Sequence, residues 1–176
     1  MKNIKGWRLL AAVAVLLMLS QACSCKNDEF KNSYYNTRWK SLPIPLNIET
    51  GFQQEVVDFY NSLFPGVAFF IVSNAAGAVD VSEHLFDDYS GVDGFSKVIF
   101  DDDGFIESGS VLLSSKYYNN SISRKIFAHE LMHVLGYGHH DESGLMNPKI
   151  TLGIYLEDLF GDSLRQWLID NYELAI

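Results

Sequence analysis

The chain has 176 residues, of which 48% are hydrophobic and 14% aromatic, enough apolar surface for one packed domain. This composition excludes an intrinsically disordered chain. The first 22 residues hold three basic and no acidic side chains, so the remainder has 10 basic and 22 acidic residues and a formal net charge of −12. Because binding phosphate groups requires a basic surface, this charge argues against nucleic acid as a partner.

Residues 1–22 have the pattern of a signal peptide: a basic start, an apolar run of 11 residues from Leu9 to Leu19, and small residues before Cys23. The run is too short to span a bilayer as a helix. Lipid attachment to Cys23 would give an exported bacterial lipoprotein of the outer membrane or cell surface, and this reading is favoured. Because Leu19 stands one place before the usual lipobox leucine, a secreted or periplasmic soluble protein is the alternative.

The only two cysteines, Cys23 and Cys25, lie next to the proposed cleavage site. The folded domain is therefore expected to contain no disulfide and no thiolate metal ligand. Polar residues 23–37 are interpreted as a tether, and residues 38–176 as a single domain.

The first part of this domain has a strand, helix and strand pattern. Alternating apolar residues at positions 44, 46 and 48 predict a half-buried strand. Helical spacing of apolar residues from Phe52 to Phe64 predicts a helix that ends at Pro65. The apolar run Val67–Val72 predicts a central strand buried on both faces, reached by a right-handed parallel crossover.

The middle of the chain predicts three strands, at Ala78–Val81, Lys97–Asp101 and Ser110–Ser114. The aspartate-rich turn 101–104 between the last two can bind calcium, although such turns are more commonly just solvated. His84 is alone in its loop, which favours an exposed histidine over a metal ligand.

Two helices complete the predicted elements. The first starts near Ser121 or Ser123, whose hydroxyls can cap it, and runs to Leu135. The second, Glu157–Leu174, closes the domain. The core-facing stripe expected for the first helix consists of Phe127, Leu131, Val134 and Leu135.

The residues of a metal site lie at the end of the first of these helices. His129 and His133 are four residues apart, so on a helix they share one face and can bind one ion. Glu130 lies about 100° around the helix, able to touch a metal-bound water without being a ligand. Gly136 can end the helix in the left-handed conformation, which lets the chain bring His139 to the metal. Three protein ligands leave one tetrahedral position open, as is typical of catalytic zinc.

The complete pattern, H-E-x-x-H-x-x-G-x-x-H followed by a methionine turn, resembles the metzincin zinc metallopeptidases. The turn, residues 143–148, is most similar to that of the matrixin branch, with Pro148 at its last position. The resemblance implies that Met146 forms an apolar floor under the metal without binding it. His140 departs from the pattern; either His139 or His140 can reach the metal, and the spacing favours His139.

The resemblance also implies a fold for residues 38–176. We expect a three-layer α+β domain of the metzincin type, with a mixed twisted sheet, an active-site helix and a C-terminal helix. One of the two strands that flank the aspartate-rich turn, with preference for the first, is the antiparallel edge that borders the cleft and pairs with an extended peptide. One catalytic Zn²⁺ is expected, and Ca²⁺ has weak support.

The implied function is that of a zinc-dependent endopeptidase. Glu130 would take a proton from the zinc-bound water as that water attacks the scissile carbonyl. The expected partner is a protein or peptide substrate, the membrane is reached only through the lipid anchor, and the chain is expected to be a monomer. Two alternatives are kept: a surface binding lipoprotein with a structural zinc, which the intact Glu130 disfavours, and a non-peptidase zinc hydrolase.

Overall fold

The computed structural model describes residues 37–48, 51–73, 79–84, 93–117, 121–139, 144–147 and 155–175. Within these ranges the chain has an α+β fold with one mixed five-stranded sheet and four α-helices. No helix in the described part has the length and apolar character of a membrane span. The predicted signal peptide, Cys23, His140 and Pro148 lie outside the described residues.

The strands are β1 (Ile44–Asn47), β2 (Phe70–Val72), β3 (Val79–His84), β4 (Gly94–Phe100) and β5 (Ile106–Ser114). The helices are α1 (Gly51–Ser62), α2 (Ser121–Val134), α3 (Leu156–Leu159) and α4 (Asp162–Tyr172). The sheet order is β2-β1-β3-β5-β4, and every neighbouring pair is parallel except the antiparallel β4 and β5. The sheet is therefore mixed, as predicted.

Strand β2 lies at one edge of the sheet, so the prediction of a central strand was wrong. Its parallel pairing with β1 agrees with the predicted crossover. Phe69 and Phe70 are buried, but Ile71 is 52% exposed and Val72 41% exposed. The apolar run overstated burial because, of Val67–Val72, only the two middle residues are buried. Asn61 fixes these two residues to α1: its side-chain oxygen accepts hydrogen bonds from the amides of Phe69 and Phe70.

Strand β4 forms the opposite edge and is antiparallel, as expected for the first of the two strands flanking the turn. The connecting turn carries three consecutive aspartates. The Lys40 ammonium lies 2.6 Å from an oxygen of Asp101 and 3.3 Å from one of Asp103. Two of the three carboxylates thus already pair with a lysine, a pairing that competes with calcium.

The helices cover one face of the sheet. Side chains of alternate strand residues on this face are buried, whereas Ile71, Asp80, Phe95 and Lys97 on the other face are exposed. In the described residues the arrangement is therefore two-layered, without the third layer that was expected. The buried inward-facing strand residues are Ile44, Leu46, Phe70, Val79, Val81, Val111 and Leu113.

Helix α2 is the most deeply buried helix of the described chain. All four residues of its predicted core stripe are fully buried. Helix α1 packs against it: the Tyr60 hydroxyl donates a 2.6 Å hydrogen bond to the Ala128 carbonyl, and Arg124 pairs with Glu55 at 2.6 Å. These contacts fix α2 between α1 and the sheet.

The predicted closing helix is two helices, α3 and α4, separated at Phe160 and Gly161. Phe160 leaves the helical region at φ −90°, ψ 74°, and Gly161 is extended at the N-cap of α4. Glycine is a poor helix former, so the break falls where helix propensity is lowest. Leu159 and Phe160 are buried at this junction.

Candidate metal centre

Helix α2 ends in a Schellman motif built on Gly136. The Gly136 amide donates to the His133 carbonyl and the Tyr137 amide to the Met132 carbonyl, both at 2.9 Å. Gly136 has φ +100°, where side chains are strained, and a β-carbon there would overlap the Thr37 carbonyl. Both the turn and the close approach of residue 37 therefore require glycine.

The two next carbonyls of the helix end are satisfied by side chains distant in sequence. The Trp39 indole donates to the Val134 carbonyl, and the Tyr172 hydroxyl donates to the Leu135 carbonyl, both at 2.8 Å. A buried helix end without such partners would be costly. The N-terminal segment and α4 thus hold the end of α2 in place.

The chain reversal after Gly136 brings three imidazole rings together. The Nε2 atoms of His129 and His133 are 3.0 Å apart, and that of His139 lies 3.1 Å from the first and 3.2 Å from the second. These three histidines form the cluster of described residues that could hold a metal ion. The sequence-predicted ligands are therefore juxtaposed.

Backbone carbonyls fix the tautomers of two of the rings. Nδ1 of His129 lies 2.6 Å from the Leu145 carbonyl, and Nδ1 of His133 lies 2.7 Å from the Tyr137 carbonyl. Because a carbonyl oxygen can only accept, both Nδ1 atoms carry the proton. Both Nε2 atoms then present lone pairs to each other, an arrangement that a cation stabilises.

The spacing and chemistry of these atoms fit a metal such as zinc. Tetrahedral zinc with bonds of about 2.0–2.1 Å to imidazole separates its ligand nitrogens by roughly 3.3 Å, close to the observed spacings. Three neutral imidazoles, two of them oriented by backbone carbonyls, are a common donor set for zinc. The three histidines therefore fit a zinc ion.

Burial keeps the imidazoles neutral. It lowers the pKa of His129 to about 4 and the pKa of His133 well below 6.5; the pKa of the less buried His139 is lowered in the same direction. Repulsion between neighbouring protonated rings lowers these pKa values further: His139 acts on His129, and both His129 and His139 act on His133. Neutral imidazole is the form that binds a metal.

Glu130 follows the first histidine and is 6% exposed. Burial raises its pKa to about 7, and a hydrogen bond from the Ser96 side chain opposes the rise. A carboxyl group poised near neutral pH can take and return a proton. This is an unusual environment for a glutamate, and such environments are concentrated at functional sites.

The methionine turn lies beside the histidines. The Asn147 amide donates to the Gly144 carbonyl, and the Leu145 amide donates to the Leu159 carbonyl of α3 at 3.0 Å. Leu145 therefore links α3 to His129 through its own amide and carbonyl. Met146 is buried, 3% exposed. Its predicted position as the floor under the metal stays a prediction.

Sequence reasoning missed the groups that orient the predicted residues. The carbonyls of Tyr137 and Leu145 belong to the backbone, so no residue type indicates them. Trp39 and Ser96 are far from the motif in sequence, and their contacts depend on the fold. Only the position of Tyr137 was indicated by the sequence, because this residue directly follows the glycine that ends α2.

The site is thus three convergent neutral imidazoles, two of them on α2, with the buried carboxyl group of Glu130 on that same helix. Such a set can hold a divalent metal ion and exchange a proton beside it. No known protein-family model matches the chain, and no curated protein is significantly similar to it.

Proposed function

We propose that this chain is a zinc-dependent endopeptidase of the metzincin type. The observation that carries the proposal is the near-equilateral arrangement of three imidazole Nε2 atoms, 3.0–3.2 Å apart. Two of the imidazoles lie on helix α2, which also bears the buried Glu130. His129, His133 and His139 would hold the ion. The motif in the sequence and the position of Met146 in a turn beside His129 support the same assignment.

Zinc, when bound, acts as a Lewis acid and lowers the pKa of coordinated water to about 7. Glu130 would accept a proton from the water that attacks the scissile carbonyl carbon. The protonated carboxyl group would then give this proton to the leaving amine as the peptide bond breaks, which would restore the carboxylate. The carboxyl is suited to both steps because burial raises its pKa to about 7.

Strand β4 is the proposed place for the substrate backbone. It is an antiparallel edge strand in the described structure, and the inner face of the sheet beside it packs on α2. An extended peptide can add to such an edge through backbone hydrogen bonds. This mode of binding holds a peptide chain rather than a small ester, which favours a peptidase over another hydrolase.

Hydrolysis of a diverse peptide mixture by the purified, zinc-loaded chain, with products identified by mass spectrometry, tests the proposal. We expect cuts that a chelator removes and added zinc restores. Glu130→Gln should remove the cuts while zinc content stays near one ion per chain, and the exposed-site control Glu107→Gln should leave them intact.

Three results would oppose this function. Full hydrolysis by Glu130→Gln would reject the mechanism, and zinc-loaded protein that cuts no peptide would favour a binding protein. Hydrolysis of ester or N-acyl substrates without peptide cleavage would favour a different hydrolase.

A further inference from the structure

The Glu130 carboxyl group packs directly over Gly94 on the inner face of β4. A β-carbon built on Gly94 would lie 2.8 Å from Glu130 Oε1 and 3.1 Å from its Cγ, and it would overlap Cγ2 of Ile126. Ile126 and Glu130 are four residues apart on α2 and so face the strand together. The absent side chain of Gly94 thus leaves the space that the carboxyl occupies.

Ser96 lies two residues further along β4 and therefore on the same face of the sheet. Its hydroxyl donates a hydrogen bond to the Glu130 carboxylate. A buried carboxylate is costly unless hydrogen-bonded. The hydroxyl supplies such a bond and restricts where the carboxyl can point.

The backbone of these two residues faces away from β5. Gly94 is opposite Leu113, and the Ser114 amide donates to the Asp93 carbonyl at 2.9 Å. In an antiparallel pair, hydrogen-bonded positions alternate, so Gly94 and Ser96 direct their amides and carbonyls to the outer edge. The same residues thus contact Glu130 on one side and present backbone groups where a peptide would pair.

We propose that Gly94 and Ser96 are positioning residues for Glu130. Gly94 provides space for the carboxyl group, and Ser96 holds one of its oxygens so that the other is directed to the reacting water. The inference rests on the proposed peptidase function. It adds that the edge strand orients the general base, in addition to binding the substrate.

Steady-state kinetics of peptide hydrolysis by the zinc-loaded full chain distinguish a residue that positions Glu130 from one that binds the substrate. Ser96→Ala should lower kcat by about 10- to 100-fold, the usual range for loss of a group that orients an active-site residue. KM should change less than about twofold because the backbone of residue 96, which would bind the peptide, is unchanged. Ser96→Thr keeps the hydroxyl and should restore kcat. Ser110→Ala is the matched control, since Ser110 lies opposite Lys97 on the other face of the sheet.

Crystal structures of the zinc-loaded wild type and Ser96→Ala provide a readout that does not depend on activity. We expect a hydrogen bond from Ser96 Oγ to Glu130 in the wild type and a changed Glu130 side-chain rotamer in the variant. An unchanged rotamer, or an unchanged kcat in Ser96→Ala, would overturn the proposal.

If the wild type cuts no peptide, the proposed function fails, and the two crystal structures still judge the role of Ser96. If Ser96→Ala does not fold, the wild-type crystal structure decides: absence of the Ser96–Glu130 hydrogen bond would overturn the inference. Gly94→Ala is the second variant, and a Glu130 carboxyl that keeps its place in that variant would reject the role of Gly94.

Discussion

The indole N–H of Trp39 donates a 2.8 Å hydrogen bond to the carbonyl oxygen of Val134, 95 residues later in the chain. Both residues are buried. The bond joins the segment before the sheet to the last turn of the helix that bears His129 and His133. It is therefore a tertiary cap on that helix.

Trp39→Phe should lower the free energy of unfolding by about 1–3 kcal/mol, because it leaves the Val134 carbonyl buried without its donor. Urea denaturation of the metal-free protein measures this change. Trp167→Phe is the control: Trp167 packs edge-to-face on Tyr137, and among the described residues its indole N–H has no hydrogen-bond acceptor. Equal losses in the two variants would assign the effect to ring size and not to the hydrogen bond.

Gly136→Ala should be among the most destabilising single substitutions in the chain. The alanine would meet both the cost of φ +100°, about 1–2 kcal/mol, and an overlap with the Thr37 carbonyl. Gly66→Ala isolates the first cost, since Gly66 has φ +81° with nothing within 4 Å of the added carbon. The urea midpoints of the two variants compare them. A Gly136→Ala midpoint as high as that of Gly66→Ala would show that the overlap relaxes without cost.

Local sequence patterns predicted the parts of the site that lie on one helix. The spacing of His129 and His133 and the apolar stripe of α2 depend on helical periodicity alone. Gly136 could be placed because a left-handed residue commonly ends a helix. These features need no knowledge of the rest of the fold.

The predictions that were wrong concern burial and strand order, which depend on how distant parts of the chain pack together. The apolar run Val67–Val72 has the composition of a central strand, but β2 has a neighbour on one side only in the described structure. Likewise, Trp39 and Ser96 reach α2 through tertiary packing and not through any local pattern. Composition and spacing report local structure; neighbours across the sheet are set by topology.

Removal of the third histidine should separate the two candidate ligands. His139→Ala should weaken zinc binding by more than about 100-fold, beyond the effect expected for groups that only orient a ligand. His140→Ala should leave zinc content near one ion per chain. Competition with a chromogenic zinc chelator measures both affinities. The reverse result would transfer the ligand role to His140.

The stability of the metal-free protein should fall as the pH falls below about 6.5. Burial lowers the pKa of His129 to about 4, that of His133 well below 6.5 and that of His139 in the same direction, so the unfolded chain binds more protons in this range. Their contribution is fully present above pH 6.5 and is lost toward pH 4. Glu130 has the opposite sign: burial raises its pKa to about 7, so it adds stability as the pH falls from 7 to 4.5.

Three imidazoles with a lowered pKa against one carboxyl with a raised pKa leave a net uptake of about one to two protons on unfolding, or roughly 1.4–2.7 kcal/mol per pH unit between pH 6 and 5. Urea denaturation in a chelating buffer across this range gives the slope. His133→Asn removes one imidazole and should make the slope shallower by up to about 1.4 kcal/mol per pH unit, whereas Glu130→Gln should make it steeper. A wild-type free energy of unfolding that rises from pH 6 to pH 5 would contradict the assignment of neutral, buried imidazoles.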